Sequence, residues 1–320
     1  MKASLASSVT RAVVFAIVCT PAWRVSAQNL PDNPKPGDPI DDVKALAAKP
    51  TPKTADGHPD LSGRWKMPNT GQGGLRGRVN GNVHELIYGT PVTGDAQTDA
   101  AVTEELNKKV QERAKRQAAS APAYKPEFQE KVAMLAKDTN HTDPTKYSCL
   151  QSGIPRMGAP RMIVETPGLM ILIYPGGYGT PNPYSTYRLV PTDGRAHRVV
   201  ETDYDANPMG DPVGHWEGDT FVIETVGFDD TTWFGELGYF HSEAMKVIER
   251  ITRKGDTIEY SAALEDPTVL TKPYNMNPNG PLVLKLGGPN DIAFNDDLPC
   301  DISDSAHDFR AHADHEHTTN

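Results

Sequence analysis

From residue 161 to 286 the chain breaks its apolar runs at short intervals with glycine-bearing turns, and this pattern constrains the fold more than any other feature. Thr166-Pro167-Gly168 separates residues 162–165 from 169–174, and Thr192-Asp193-Gly194 separates 184–190 from 196–201. Glu217-Gly218-Asp219 divides 215–216 from 220–228, Lys254-Gly255-Asp256 divides 243–253 from 257–264, and 282–286 is a last apolar run. Gly-Asp and Asp-Gly pairs supply the positive φ that tight hairpins need, so these runs predict antiparallel strands, enough of them to close. With 27 Gly and 28 Pro the chain carries too many helix breakers for a bundle. The expected fold is mainly β, an antiparallel closed barrel with a small helical excursion; a two-sheet β-sandwich is the alternative.

The N-terminus reads as an export signal. Lys2 and Arg11 precede a nearly uncharged stretch over residues 12–22, and Val25-Ser26-Ala27 offers small residues for cleavage after Ala27. That stretch is short for a membrane span, Pro21 interrupts it, and no later segment of the sequence is apolar enough to cross. A secreted or periplasmic protein is expected, without membrane insertion. Lys2, Arg11 and Arg24 leave with residues 1–27 and no acid does, so the net charge moves from −10 to −13. Such acidity argues against a nucleic-acid partner. Cys149 and Cys300 remain; in an oxidising compartment they are expected to pair, closing a long loop worth ~2–4 kcal/mol, with two buried thiols as the alternative.

Residues 28–57 read as an extended lead-in, and 58–288 as a single β-rich domain with a helical insertion at about 97–138. Within that insertion Val102, Leu106, Val110 and Ala114 make a narrow stripe over 97–118, and Phe128, Val132 and Leu135 mark a shorter helix. Residues 289–320 form an acidic tail, expected to be mostly disordered. It holds His307, His312, His315 and His317, weak metal ligands without a scaffold.

Candidate chemistry lies on the run 241–253. Period two places His241, Glu243, Met245, Val247, Glu249, Ile251 and Arg253 on one face. If that face is the interior, ionisable groups line an apolar cavity suited to acid/base work; a structural ion pair, such as Glu249 with an Arg on a neighbouring strand, is the alternative. Glu224 sits among Phe221, Val222, Ile223 and Val226, so it must be paired, protonated or functional, and Arg250 is a plausible partner. The candidate catalytic set is therefore His241, Glu243, Glu249, Arg250 and Glu224, and the expected ligand contacts are Trp65, Trp216, Trp233, Met245 and Tyr187. Phosphate-loop, dinucleotide, zinc-protease and serine-hydrolase motifs do not occur in the sequence, and no cofactor is called for.

Gly63-Arg64-Trp65 on an opening strand resembles the lipocalin and wider calycin pattern. There the Trp closes one end of the barrel against an Arg from a late strand, a part open here to Arg250 or Arg253. Several blocks taken together (Pro59-Asp60-Leu61-Ser62-Gly63-Arg64-Trp65, Cys149 to Met157, Gly214 to Thr220 with Glu224 to Phe228, His241-Ser242-Glu243 with Glu249-Arg250) resemble a large family of secreted bacterial proteins of unassigned function. In that family a late Cys follows the last strand, which implies the Cys149–Cys300 pairing. The chain departs from the pattern at Gln151 and Tyr274, where Pro and Trp are usual.

Three functions fit these readings. One is a secreted barrel whose cavity takes a small apolar or aromatic molecule and converts it by cofactor-independent acid/base chemistry, as a lyase, isomerase or hydrolase. The second is a non-catalytic binding or carrier protein, and the third a structural surface protein.

Overall fold

Period-two burial, the signature of a sheet with one face inward, runs along the long strands. On β12 (Lys246–Lys254) Val247, Glu249, Ile251 and Arg253 are buried while their neighbours are half-buried or exposed, and β6 (Leu169–Tyr174) alternates in the same way. The computed structural model describes residues 40–69, 76–79, 82–87, 90–91, 120–147, 150–176, 185–198, 206–288 and 291. The export signal, residues 28–39 of the lead-in, the helix expected over 97–118, Cys149, Cys300 and the histidines of the tail lie outside the described residues.

The remaining main strands are β1 (Gly63–Lys66), β5 (Met162–Thr166), β7 (Thr186–Pro191), β8 (Asp211–Glu217), β9 (Thr220–Val226), β13 (Thr257–Glu265) and β15 (Leu282–Leu286). They pair antiparallel in the order β7-β6-β5-β1-β15-β13-β12-β9-β8, a nearly closed nine-strand barrel, with β14 (Tyr274–Asn275) added beside β13. Three hairpins expected from the sequence are present, at Gly168, Gly218 and Gly255, each glycine with positive φ. Two small ribbons lie off this path: β2 (Arg76–Val79), β3 (Asn82–Ile87) and β4 (Thr90–Pro91) make one, and β10 (Trp233–Gly235) with β11 (Tyr239–Phe240) the other.

The inward face is filled. Trp65, Leu172, Tyr174, Phe221, Ile223, Ile251, Tyr260 and Leu284 are all buried and belong to one continuous core. Among the described residues no ladder joins β7 to β8, so this seam closes by packing. Gly214 of β8 makes room for it: a Cβ there would lie 2.4 Å from Phe221 Cζ and 2.9 Å from Val190 Cγ1 of β7.

The helix Pro126–Leu135 starts on Pro126 at its first turn and packs Phe128, Val132 and Leu135 against the core. It approaches closely at Gly238, whose φ of 74° and distance of 2.8 Å from a would-be Cβ to the Val132 carbonyl leave no room for a side chain. Among the described residues no helix is long and apolar enough to cross a membrane.

Three local expectations need correction. The run 241–253 becomes strand only at Lys246, because Asp266 accepts from both Ser242 N and Ser242 Oγ (2.7 and 2.8 Å) and folds 242–245 into a turn. Residues 196–198 are not strand, since Asp211 draws in the Arg198 backbone N–H and side chain. The described part of the lead-in is not extended throughout: Val43–Ala47 is helical, and Leu46 O accepts from Asp256 N at the β12–β13 turn.

Filling the space at Gly214 tests the closure. Gly214→Ala is expected to lower unfolding stability by about 1–3 kcal/mol, seen as a lower urea midpoint at constant slope. An unchanged midpoint would mean Phe221 and Val190 yield freely.

Candidate functional site

Inside the barrel the polar side chains meet in one cluster. Arg188 of β7 donates through Nη1 to Glu249 Oε2 (2.6 Å) and to Tyr174 OH (3.3 Å), and through Nη2 to Thr225 Oγ1 (2.9 Å). Tyr260 OH donates to the other carboxylate oxygen of Glu249 at 3.0 Å. Arg188 and Glu249 are both buried, with side chains 1% and 0% exposed. Burial works against the Arg188 charge, but Glu249 and Tyr174 outweigh it and hold the guanidinium more firmly protonated than usual. Burial raises both phenols, so Tyr174 and Tyr260 stay neutral donors or acceptors at ordinary pH. Removing either member of such a pair strands a charge and costs about 3–5 kcal/mol.

At one end of the barrel Trp65 is fully buried with its Nε1–H on Leu61 O at 3.0 Å, and the Arg253 guanidinium lies 5.2 Å from its ring centroid. Of the two arginines considered, Arg253 and not Arg250 makes this stack, and it donates also to the Asp60 and Gly255 carbonyls.

The five candidate catalytic residues do not converge. Glu249 is inside and fully paired. Glu224 and Arg250 are on the outer face, Glu224 with Lys246 (2.6 Å) and Arg250 with Glu217 (2.7 Å), because even positions of β9 and β12 point outward. The expected Glu224–Arg250 pair is therefore not formed. Glu243 is exposed in the turn that replaces the start of the strand.

His241 is 3% exposed and uses both nitrogens internally. Nδ1 lies 3.1 Å from Ser242 O, which can only accept, so Nδ1 carries the proton and Thr232 Oγ1 donates to Nε2 at 3.1 Å. Among the described residues no group of three or more His, Cys, Asp and Glu could hold a metal.

The expected ligand contacts also separate. Trp65, Trp233 and Met245 are core residues, and Trp216 stacks on His58 (centroids 4.6 Å apart) and leans on Phe221. Tyr187 is 64% exposed beside the β7/β8 seam.

A large cleft lies outside the barrel, between the helix Pro126–Leu135 and the ribbon of β10 and β11. Its volume is about 860 Å³, and Tyr124, Val132, Ala133, Ala136, Leu237 and Tyr239 supply most of its apolar wall. An aromatic stack stiffens this wall: Tyr124 lies 5.3 Å from Phe240, Phe234 5.9 Å from Tyr239, and Tyr274 5.6 Å from Phe234. Tyr124 OH donates to Phe240 O at 2.5 Å, and burial with nearby Asp266 raises its pKa, so it stays a neutral anchor. Polar groups at the rim are few; Gln129 Nε2 reaches Tyr124 O at 3.4 Å, and Thr271 Oγ1 donates to Ala123 O at 3.0 Å.

Sequence reasoning passed over this cleft. Its only signal was Ala121-Pro122-Ala123-Tyr124, a small-residue segment opening a proline-started helix, whose partners on β11 are more than a hundred residues away. No family model, curated protein or solved structure matches the chain.

His241 offers a direct test of this geometry. Burial holds its pKa below the ordinary 6.5, against the Ser242 hydrogen bond and the field of Asp266, Asp229 and Asp230. The unfolded chain then binds this proton first, and stability falls as pH drops below ~6.5. His241→Gln is expected to flatten the pH dependence of urea stability between about pH 7.5 and 5.5, by up to about 1.4 kcal/mol per pH unit. An unchanged dependence would mean that folding leaves the His241 pKa where it is in the unfolded chain.

Proposed function

We propose that the protein is a non-catalytic binder of a small apolar or aromatic molecule, held in the cleft between the helix Pro126–Leu135 and the Tyr124–Tyr239 wall. The observation that carries this reading is the cleft itself: about 860 Å³, walled by aromatic and aliphatic side chains, with few polar groups. That matches the size and polarity of sites for drug-sized molecules. A rigid aromatic wall of buried phenols recognises a flat apolar face without offering a nucleophile or a base. Binding without conversion is favoured over acid/base chemistry because His241, Glu224, Glu243, Glu249 and Arg250 are paired, turned outward or dispersed. The N-terminal sequence supports export, with the leader removed after Ala27, and so a ligand met outside the cytoplasm. The blocks that resemble those of secreted bacterial proteins support the same compartment.

Fluorescence titration with the neutral aromatic probe N-phenyl-1-naphthylamine tests the site. One saturable site is expected, and Ala133→Trp, which fills the cleft from an exposed helix position, should weaken it at least tenfold, ~1.4 kcal/mol. Equal affinity in wild type and Ala133→Trp would move the ligand elsewhere and defeat the reading.

A further inference from the structure

The cleft between the helix Pro126–Leu135 and the ribbon carries no charge of its own. Among the described residues no Asp, Glu, Lys, Arg or His lines it, and Lys131, whose Nζ lies 3.8 Å from the Phe240 ring centroid, stands outside the lining. Four polar side chains do line it: Tyr124, Gln129, Tyr239 and Thr271. Two of them have already given their hydroxyl proton away, Tyr124 to Phe240 O and Thr271 to Ala123 O. Tyr239 has not. Its hydroxyl has no hydrogen-bond partner among the described residues, and burial raises its pKa above the ordinary 10, so it keeps a proton to donate. We propose that the cleft selects neutral aromatic molecules bearing a carbonyl group, whose oxygen accepts from the Tyr239 hydroxyl. This rests on the reading of the cleft as a small-molecule site and adds the functional group that its ligand carries.

Tyr239 is a positioned donor. Its ring lies 5.9 Å from Phe234 and 6.4 Å from Tyr124, and its Cδ2 is 2.6 Å from where a Cβ would stand at Gly235, so the ring lies down on the ribbon only because that residue is glycine. A ring held by packing aims its hydroxyl along one line. On the helix opposite, Gln129 Nε2 spends one N–H on Tyr124 O at 3.4 Å and keeps its second for a ligand.

These donors decide the chemistry of the occupant. A ketone, ester or quinone oxygen accepts from them without carrying charge. An ammonium finds no acid in the lining and a carboxylate no base, and either would leave water without a counter-charge. A pure hydrocarbon that covers Tyr239 strips the hydroxyl of water and returns nothing, a penalty that an acceptor removes.

2-Acetylnaphthalene and 2-isopropenylnaphthalene suit the test, since they differ only in C=O against C=CH2. Equilibrium dialysis on the full chain gives the ratio of their affinities in wild type and in Tyr239→Phe, and the different hydration of the two probes cancels in that comparison. Tyr239→Phe keeps the ring and its packing. It is expected to lower the ketone-to-hydrocarbon ratio by about fivefold, with the hydrocarbon bound at least as well as before. Ala133→Trp should weaken both probes alike. In the wild type, the infrared carbonyl stretch of the bound ketone should lie below its position in an alkane solvent, a measurement that stands even if the variant does not fold.

A ratio unchanged in Tyr239→Phe, or a bound carbonyl stretch at its alkane position, would overturn this proposal and leave the cleft an unselective apolar site. Binding of neither probe to the wild type, or Ala133→Trp holding both as tightly as the wild type, would defeat the reading of the cleft itself and this proposal with it.

Discussion

The barrel depends on one guanidinium that crosses its interior. Eight of the nine neighbour relations around the ring are backbone ladders; the ninth, between β7 and β8, is not, among the described residues. Arg188 bridges that gap from within, running from β7 to Thr225 on β9 and Glu249 on β12, with Tyr174 on β6 and Tyr260 on β13 completing its surroundings. Val190 resting against Gly214 supplies the apolar half of the same closure. Charges so deeply buried are costly to desolvate, and their mutual attraction repays this only when hydrogen bonds satisfy the rest of each group. Glu249 meets that condition on both oxygens. Arg188 meets it at both terminal nitrogens, while its buried Nε has no partner among the described residues.

A filled interior leaves no space inside the barrel for the proposed ligand. Small barrels either pack their lumen with side chains or leave it for a ligand, and this one packs it: Trp65 plugs one end against Arg253, Phe221 and Ile251 occupy the middle, and the Arg188 cluster takes the remaining polar space. The cleft proposed for a ligand lies outside, where the helix Pro126–Leu135 stands off the aromatic ribbon.

Much of the fold was legible because hairpins are local. The turns at Gly168, Gly218 and Gly255 sit between runs whose apolar alternation fixed their inward faces, and Val247, Glu249, Ile251 and Arg253 fell on the inner face that period two assigned. The lipocalin and calycin resemblance implied a Trp65–Arg stack but left Arg250 and Arg253 both open, and it is Arg253, on the inner face, that makes it. The site was less legible, for three reasons. Extending the strand back to His241 missed the Asp266 contact that bends 242–245, and this put Glu243 on a face it does not share. Glu224 has apolar neighbours in sequence, but strand alternation turns it outward to Lys246. An Arg partner on another strand for Glu249 was foreseeable, yet Arg188 lies 61 residues away, and only closure of the barrel brings them together.

The central claim is that the Arg188–Glu249 contact closes the barrel across an unladdered seam. A double-mutant cycle on urea stability measures it most directly. Arg188→Met alone and Glu249→Leu alone are each expected to cost about 3–5 kcal/mol, because each strands a buried partner. The double replacement should cost well under their sum, as apolar side chains of similar volume fill the same space. Strictly additive losses, or single variants as stable as the wild type, would show that β7 and β8 are held together by something other than this pair.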